Sequence, residues 1–270
     1  MLIDTHCHIN MMVKKTFDTE ITPDDLRLAS SIVDEAYAHG VTHIINVGTS
    51  LVESFNCIQL ALQYAPIHAA VGIHPNDCTQ TWHTDFKEIK NFVKEHKKNK
   101  IVAIGETGLD RHYPDTNIDR QKDAFRAHID LALEHNLALI VHTRDARDET
   151  LTALEEYKGQ ISRGVIHCFS EDQEFANEVI AMGFVIGLGG ALTYPKNEYL
   201  RTIARAVPLD KIVLETDAPF LPPQIIRGKQ NSPAQILTIA RYLAELRGIS
   251  LEDVAYATSI NVERVFHIEL

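Results

Sequence analysis

Short apolar runs rich in Ile and Val alternate with longer segments whose apolar residues recur at helical spacing. Eight runs read as strands: LIDTHCHI (2–9), THIINVGT (42–49), HAAVGIHP (68–75), IVAIGETGLD (101–110), ALIVHTR (138–144), GVIHCFS (164–170), FVIGLGG (184–190) and IVLETDAP (212–219). The spacing predicts helices over 24–39, 51–65, 84–97, 118–135, 145–158, 172–182 and 197–206, with two more, 233–247 and 251–266, after the eighth strand. Thr22-Pro23-Asp24 and Ser232-Pro233 are helix-start signals. Gly40 and Gly183 fall where helices stop.

Strands that alternate with helices pair in parallel, because parallel neighbours need crossover connections. The near-continuous apolar character of the runs fits strands covered on both faces. Eight such units in 270 residues predict an α/β fold, a (β/α)8 TIM barrel, as one domain over residues 1–270. A doubly wound open sheet is the alternative. No linker, low-complexity stretch or short-period repeat interrupts the pattern.

Composition adds limits. At 45% hydrophobic and 23% charged residues the chain reads as soluble and globular. Cys7, Cys57, Cys78 and Cys168 are scattered, which fits a reducing compartment rather than a disulfide framework. With no signal-peptide pattern and no run approaching the roughly 18–20 apolar residues of a membrane span, a cytoplasmic protein without membrane contact is expected. A net charge of −11 disfavours a general nucleic-acid binder. It still allows an enzyme that engages one nucleic-acid end through metals and a few cations. No coiled-coil or interface stripe indicates an oligomeric state.

The candidate chemistry lies at the strand ends. In an extended strand i and i+2 share a face, so His6 and His8 present two imidazoles side by side while Thr5 and Cys7 face away. Later strands end in His74, Glu106, His142, His167, Glu215 and Asp217. In a barrel those ends converge at one mouth, where the active site sits. Each residue alone has a structural explanation, but burying all of them without a partner would cost several kcal/mol. Divalent cations supply that partner. Nitrogen and oxygen donors without thiolate suit Zn, Mn, Ni or Fe, and Mg more loosely. Cys168, next to His167, is expected to alternate away from it. Ligand-bearing residues on strands one, four, five, six and eight exceed what one tetrahedral ion needs, whereas two ions bridged by a carboxylate use them all.

The ordered motifs DTHCHIN, VGIHP, GETGLD, IVHTRDA, IHCFSED, ETDAPFL and RGKQNSP resemble the TatD-type metal-dependent hydrolases, a branch of the amidohydrolase-like barrels. The resemblance runs the length of the chain, to NVERVF at 261–266. It implies a distorted TIM barrel with two divalent metals, zinc as bound or Mg or Mn in function. His6, His8, Glu106 and Asp217 would hold one metal, and Glu106, His142 and His167 the second, with Glu106 as the bridge. It also implies phosphodiester hydrolysis of DNA, often as a 3′-to-5′ exonuclease. Two features depart from the commoner pattern. Arg111, His112 and Tyr113 follow GLD where an aromatic comes first, and the segment MMVKKTFDTEIT (11–22) is long for its loop.

In the mechanism this implies, Asp217 orients a metal-activated water and takes its proton. Glu215 acts directly or fixes a ligand, and His74 donates to a phosphate oxygen or the leaving group, or is structural. Arg227 and Lys229, around a glycine in RGK, are phosphate-clamp candidates, with Arg144 a weaker one. So little basicity favours an end of single-stranded DNA, or a small phosphate ester, over internal duplex cleavage. Hydrolysis of a small-molecule amide or ester, including an aminoacyl ester, on the same binuclear site is the first alternative. A non-catalytic metal-stabilised scaffold is the second.

Overall fold

The computed structural model describes residues 1–14 and 16–270. Its strands are β1 (Leu2–Cys7), β2 (Val41–Val47), β3 (Ile67–Val71), β4 (Ile101–Asp110), β5 (Ala138–Arg144), β6 (Gly164–Ile166), β7 (Phe184–Leu188) and β8 (Ile212–Leu214). They form one 8-stranded parallel sheet in sequence order, which excludes the doubly wound alternative. The sheet closes through the segment after β8: Asp217 N donates to His6 O (2.8 Å) and His8 N to Ala218 O (2.7 Å). At this seam Cys7 and Ala218 form an isolated bridge in place of a full ladder.

The helices are α1 (Ile9–Met12), α2 (Pro23–Ala38), α3 (Leu51–Gln63), α4 (Trp82–Lys94), α5 (Ile118–His135), α6 (Arg147–Glu155), α7 (Gln173–Ala181), α8 (Glu198–Ala206), α9 (Ile236–Arg247) and α10 (Leu251–Phe266). Thr22 caps α2 in a reciprocal box with Asp25. Ser232 instead heads a 3-10 turn, Pro233–Gln235, so the helix expected from 233 begins as α9 at Ile236. Gly40 and Gly183 take φ of +83° and +102°, the left-handed turn that ends a helix. Among the described residues, no helix is long and apolar enough to cross a membrane.

The barrel interior is filled by small and β-branched side chains, including Ile45, Val47, Ala70, Ala103, Ile140, Val165, Val185 and Val213. Val262, Val265 and Phe266 of α10 pack into the same cluster and plug one end. A separate apolar layer joins the outer strand faces to the helices. The imidazoles and carboxylates of the candidate site gather at the opposite end, at and beyond the strand C-termini.

Several strands stop short of the expected boundaries, at Cys7, Val71, Ile166 and Leu214. The backbone leaves the ladder where chemistry-bearing side chains begin. Cys168 and Asp217 take positive φ, +47° and +56°. Two register shifts matter most. One lies between Asp4 and Cys7 on β1, the other between Ile104 and Thr107 on β4, and each inserts one extra residue against the neighbouring strand. A bulge reverses the alternation of side chains beyond it. Ile3 and Ala103 face the interior. Strict alternation would turn His6 and Glu106 outward, and the bulges turn both into the mouth.

Candidate metal centre

Glu106, 3% exposed, is the hub of the mouth. Its Oε1 lies 2.8 Å from His142 Nδ1, 3.5 Å from His167 Nε2 and 3.6 Å from His74 Nε2. Its Oε2 lies 3.4 Å from His6 Nε2 and 4.0 Å from His8 Nε2. Asp217 Oδ1 closes the second side, 3.4 Å from His8 Nε2 and 3.8 Å from His6 Nε2. The His6 and His8 Nε2 atoms are themselves 3.2 Å apart. Candidate ligand atoms thus gather as His6–His8–Glu106 and Glu106–His142–His167, each set within 4.8 Å and sharing Glu106.

The remaining ring nitrogens show how the imidazoles are aimed. His8 Nδ1 donates to Val47 O at 2.7 Å, leaving the Nε2 lone pair for the centre. His142 is held from behind by Asp110, Nε2 to Oδ2 at 3.1 Å, and Asp110 is fixed in turn by Asn76 Nδ2 and His112 N. His167 Nδ1 stands 3.2 Å from Glu215 Oε1, close enough for ion pairing but not aligned as a hydrogen bond. Carboxylate or carbonyl support behind an imidazole is the usual partner arrangement of metal-ligating histidine.

Electrostatics point the same way. Burial opposes charge on Glu106, but the imidazoles of His167, His74, His142 and His6 outweigh it and hold its carboxyl well below the usual range. Asp217 is likewise lowered against burial by His8, His167 and His6. Despite burial, Glu215 and Glu106 push His167 up to about 10. Buried carboxylates that stay ionised demand positive charge beside them, and here they draw protons onto imidazoles. Divalent cations would satisfy the same demand, so the donor set fits them.

Above the cluster opens a cavity of about 750 Å³, lined in part by His8, His74, Glu106, His142, His167 and Asp217. A second cavity of about 740 Å³, at the N-terminal strand ends beside Leu2 and Tyr256, carries no such cluster among the described residues.

The structure brings His6, His8, His74, Glu106, His142, His167 and Asp217 together. Glu215 lies behind His167, 1% exposed, accepting from Cys168 N. Arg144 lines the cavity. Arg227 and Lys229 are exposed and do not line it, and the Arg227 guanidinium sits 4.3 Å over the Tyr194 ring. One expectation is corrected. Cys168 does not alternate away from His167: β6 ends at Ile166, and the left-handed turn at Cys168 places its sulfur within 4.8 Å of the His167 and Asp217 ligand atoms.

Asp110 and Asp4 escaped the sequence reading. Asp110 follows Glu106 by four residues, the same face once the bulge is passed. Asp4 is fully buried and accepts from His6 N (3.2 Å), Thr216 N (2.9 Å) and Thr216 Oγ1 (2.5 Å), tying the H-x-H strand to the segment bearing Asp217. Its burial pushes its pKa up to about 8.

The sequence matches the family described as TatD related DNase over residues 3–267. The uncharacterized metal-dependent hydrolase YcfH of Escherichia coli K12 is 36% identical over 99% of this chain and 96% of its own length. The 3′-5′ ssDNA/RNA exonuclease TatD of Escherichia fergusonii is 32% identical over 88% of this chain and 92% of its own. Among solved structures, the TatD homologue YjjV of Escherichia coli K12 superposes with a TM-score of 0.89 at 29% identity, covering 99% of this chain and 98% of that one. With its parallel barrel and its clustered imidazoles and carboxylates, the chain belongs to the TatD-related DNase family of metal-dependent hydrolases.

Proposed function

We propose that the protein is a phosphodiesterase, releasing nucleotides from the 3′ end of single-stranded DNA at a site for two divalent metal ions. The observation that carries this is the position of Glu106, whose two oxygens face separate imidazole pairs: His142 and His167 on one side, His6 and His8 on the other. The exonuclease named for the Escherichia fergusonii relative supports the substrate class.

His6, His8, Glu106 and Asp217 would hold one ion, and Glu106, His142 and His167 the other. When bound, the ions supply Lewis acidity toward phosphoryl oxygen and lower the pKa of water; zinc suits the donors, and Mg or Mn are candidates for turnover. Asp217 takes the proton of the attacking water. Its backbone is pinned to β1, so its carboxylate keeps a fixed place beside His6 and His8.

His74 is set up as a neutral donor. Burial pushes its pKa down to about 4, and its Nδ1 accepts from Asn76 N at 3.1 Å, so the proton sits on Nε2, 3.6 Å from Glu106 Oε1 at the floor of the cavity. It is placed to donate to a phosphoryl or leaving-group oxygen. Glu215 positions His167 from behind rather than meeting substrate, and Arg144 meets the phosphate from the rim.

The test is nucleotide release from 3′-labelled single-stranded DNA by protein reconstituted with Zn, Mn or Mg. Asp217→Asn should lower the rate by about 10²–10⁴-fold. Turnover of amides or carboxyl esters with none of phosphodiesters would overturn the proposal.

A further inference from the structure

The segment 11–22 and the turn after β4, residues 111–113, both reach the cavity. Phe17, from 11–22, is 62% exposed, and Tyr113, after Arg111-His112, is 55% exposed; both line the space above the metal-site cluster. Phe220, 45% exposed, lines it from a third side, its ring centroid 6.0 Å from that of His8.

These rings are not on loose chain. Lys15 lies outside the described residues, but the segment around it is stapled to α3. Lys14 Nζ meets Glu53 Oε1 at 2.6 Å and donates to Thr19 O at 2.8 Å. Asp18 N donates to the same Glu53 oxygen at 2.8 Å, and Ile21 N to Asn56 Oδ1 at 3.0 Å. Glu53 is 1% exposed. Val13 and Ile21 are buried in the same segment, so apolar burial was available and Phe17 is held away from it. Tyr113 is fixed comparably: His112 N donates to Asp110 Oδ1 at 2.8 Å, and Arg111 pairs with Glu149.

Charge tells what the rings are for. Among the described residues, Arg144 is the one Lys or Arg lining the cavity, against the carboxylates of Asp77, Glu106 and Asp217 in the same lining. One cation cannot track a polyanionic backbone. Aromatic faces grip bases without regard to sequence, since every base has a π-face. We infer that Phe17, Tyr113 and Phe220 form a stacking rim for the nucleobases of a single-stranded end whose last phosphodiester reaches Glu106. This rests on the phosphodiesterase reading and names what holds its substrate.

The test compares two fluorescent single strands of equal length with cleavage-resistant phosphorothioate linkages. One carries thymines and the other is abasic, and both are titrated against the metal-loaded protein. The thymine strand should bind about tenfold or more tighter. Phe17→Ala and Tyr113→Ala should each erode that preference by roughly threefold, while Phe17→Trp and Tyr113→Phe preserve it. Equal binding of both strands by the wild type overturns the rim. Cleavage of unmodified DNA in the same preparations then tells whether the phosphodiesterase reading stands without it. A preference for thymine with no cleavage keeps the rim and removes the phosphodiesterase. Neither binding nor cleavage removes both.

Discussion

Glu106 and His142 meet at 2.8 Å, Oε1 to Nδ1, and the far side of the same imidazole rests on Asp110 at 3.1 Å. Glu215 backs His167 more loosely, as an ion pair at 3.2 Å without hydrogen-bond alignment. Partners of this kind fix a ligand's tautomer and direction. Asp110→Asn and Glu215→Gln should each lower metal affinity by about 10–100-fold while leaving the fold intact. Competition with a chelating dye reads the affinity directly, and unchanged affinity in both variants would remove the positioning role.

Gly187 offers an independent route to the same carboxylate. A Cβ there would lie 2.3 Å from Glu215 Oε2. Gly187→Ala should push Glu215 off His167 and cost about 1–3 kcal/mol in stability. If the two residues act through one contact, the double variant Gly187→Ala/Glu215→Gln loses no more metal affinity than Glu215→Gln alone. Additive losses would separate them.

His128 makes stability depend on pH away from the centre. Its Nδ1 donates to Ala124 O (2.7 Å) and its Nε2 accepts from Ile73 N (3.1 Å), both satisfied by the neutral ring. Burial pushes its pKa down to about 4 from an ordinary 6.5. The unfolded chain therefore takes up a proton that the folded one refuses. The contribution is complete above about pH 6.5 and is lost as pH falls toward 4, on the order of 3 kcal/mol in all. Urea unfolding of metal-free protein should show this slope, and His128→Gln should flatten it. A slope unchanged in the variant would place its origin elsewhere.

The rim cations should separate kinetically. Arg144→Ala should raise KM on single-stranded DNA roughly tenfold with kcat largely kept, since it removes binding shared by ground and transition states. Arg227→Ala and Lys229→Ala should change KM by less than about twofold, because neither lines the cavity. A larger effect of Arg227 would mean that the loop after β8 closes over substrate.

Much of this was legible in the chain because alternation is local. Ile140 and Val165 face the barrel interior, and counting two residues on reaches His142 and His167; from Val213 the same count reaches Glu215 and then Asp217. His6 and Glu106 are different. They enter the mouth only because a bulge precedes each, and a bulge depends on the neighbouring strand, which no single run of sequence displays. The H-x-H spacing and the strand-end position marked both residues as candidates; strict alternation from Ile3 and Ala103 would have turned them outward. Cys168 was misjudged for the related reason that alternation was carried past the end of β6. Arg227 and Lys229 seemed placed for phosphate because a loop sequence carries no direction, and in the fold Arg227 settles on Tyr194. Phe17 and Tyr113 were visible only as departures; that both arrive at one cavity is a tertiary fact.

The proposed bridging role of Glu106 is best examined by elemental analysis of metal per chain, for wild type and Glu106→Ala reconstituted alike, with DNA hydrolysis on the same samples. About two ions should fall to one or fewer, and nucleotide release should disappear, since the substitution removes the oxygen donors shared by both ion positions. Two ions retained by Glu106→Ala, or never more than one bound by the wild type, would contradict a carboxylate-bridged pair.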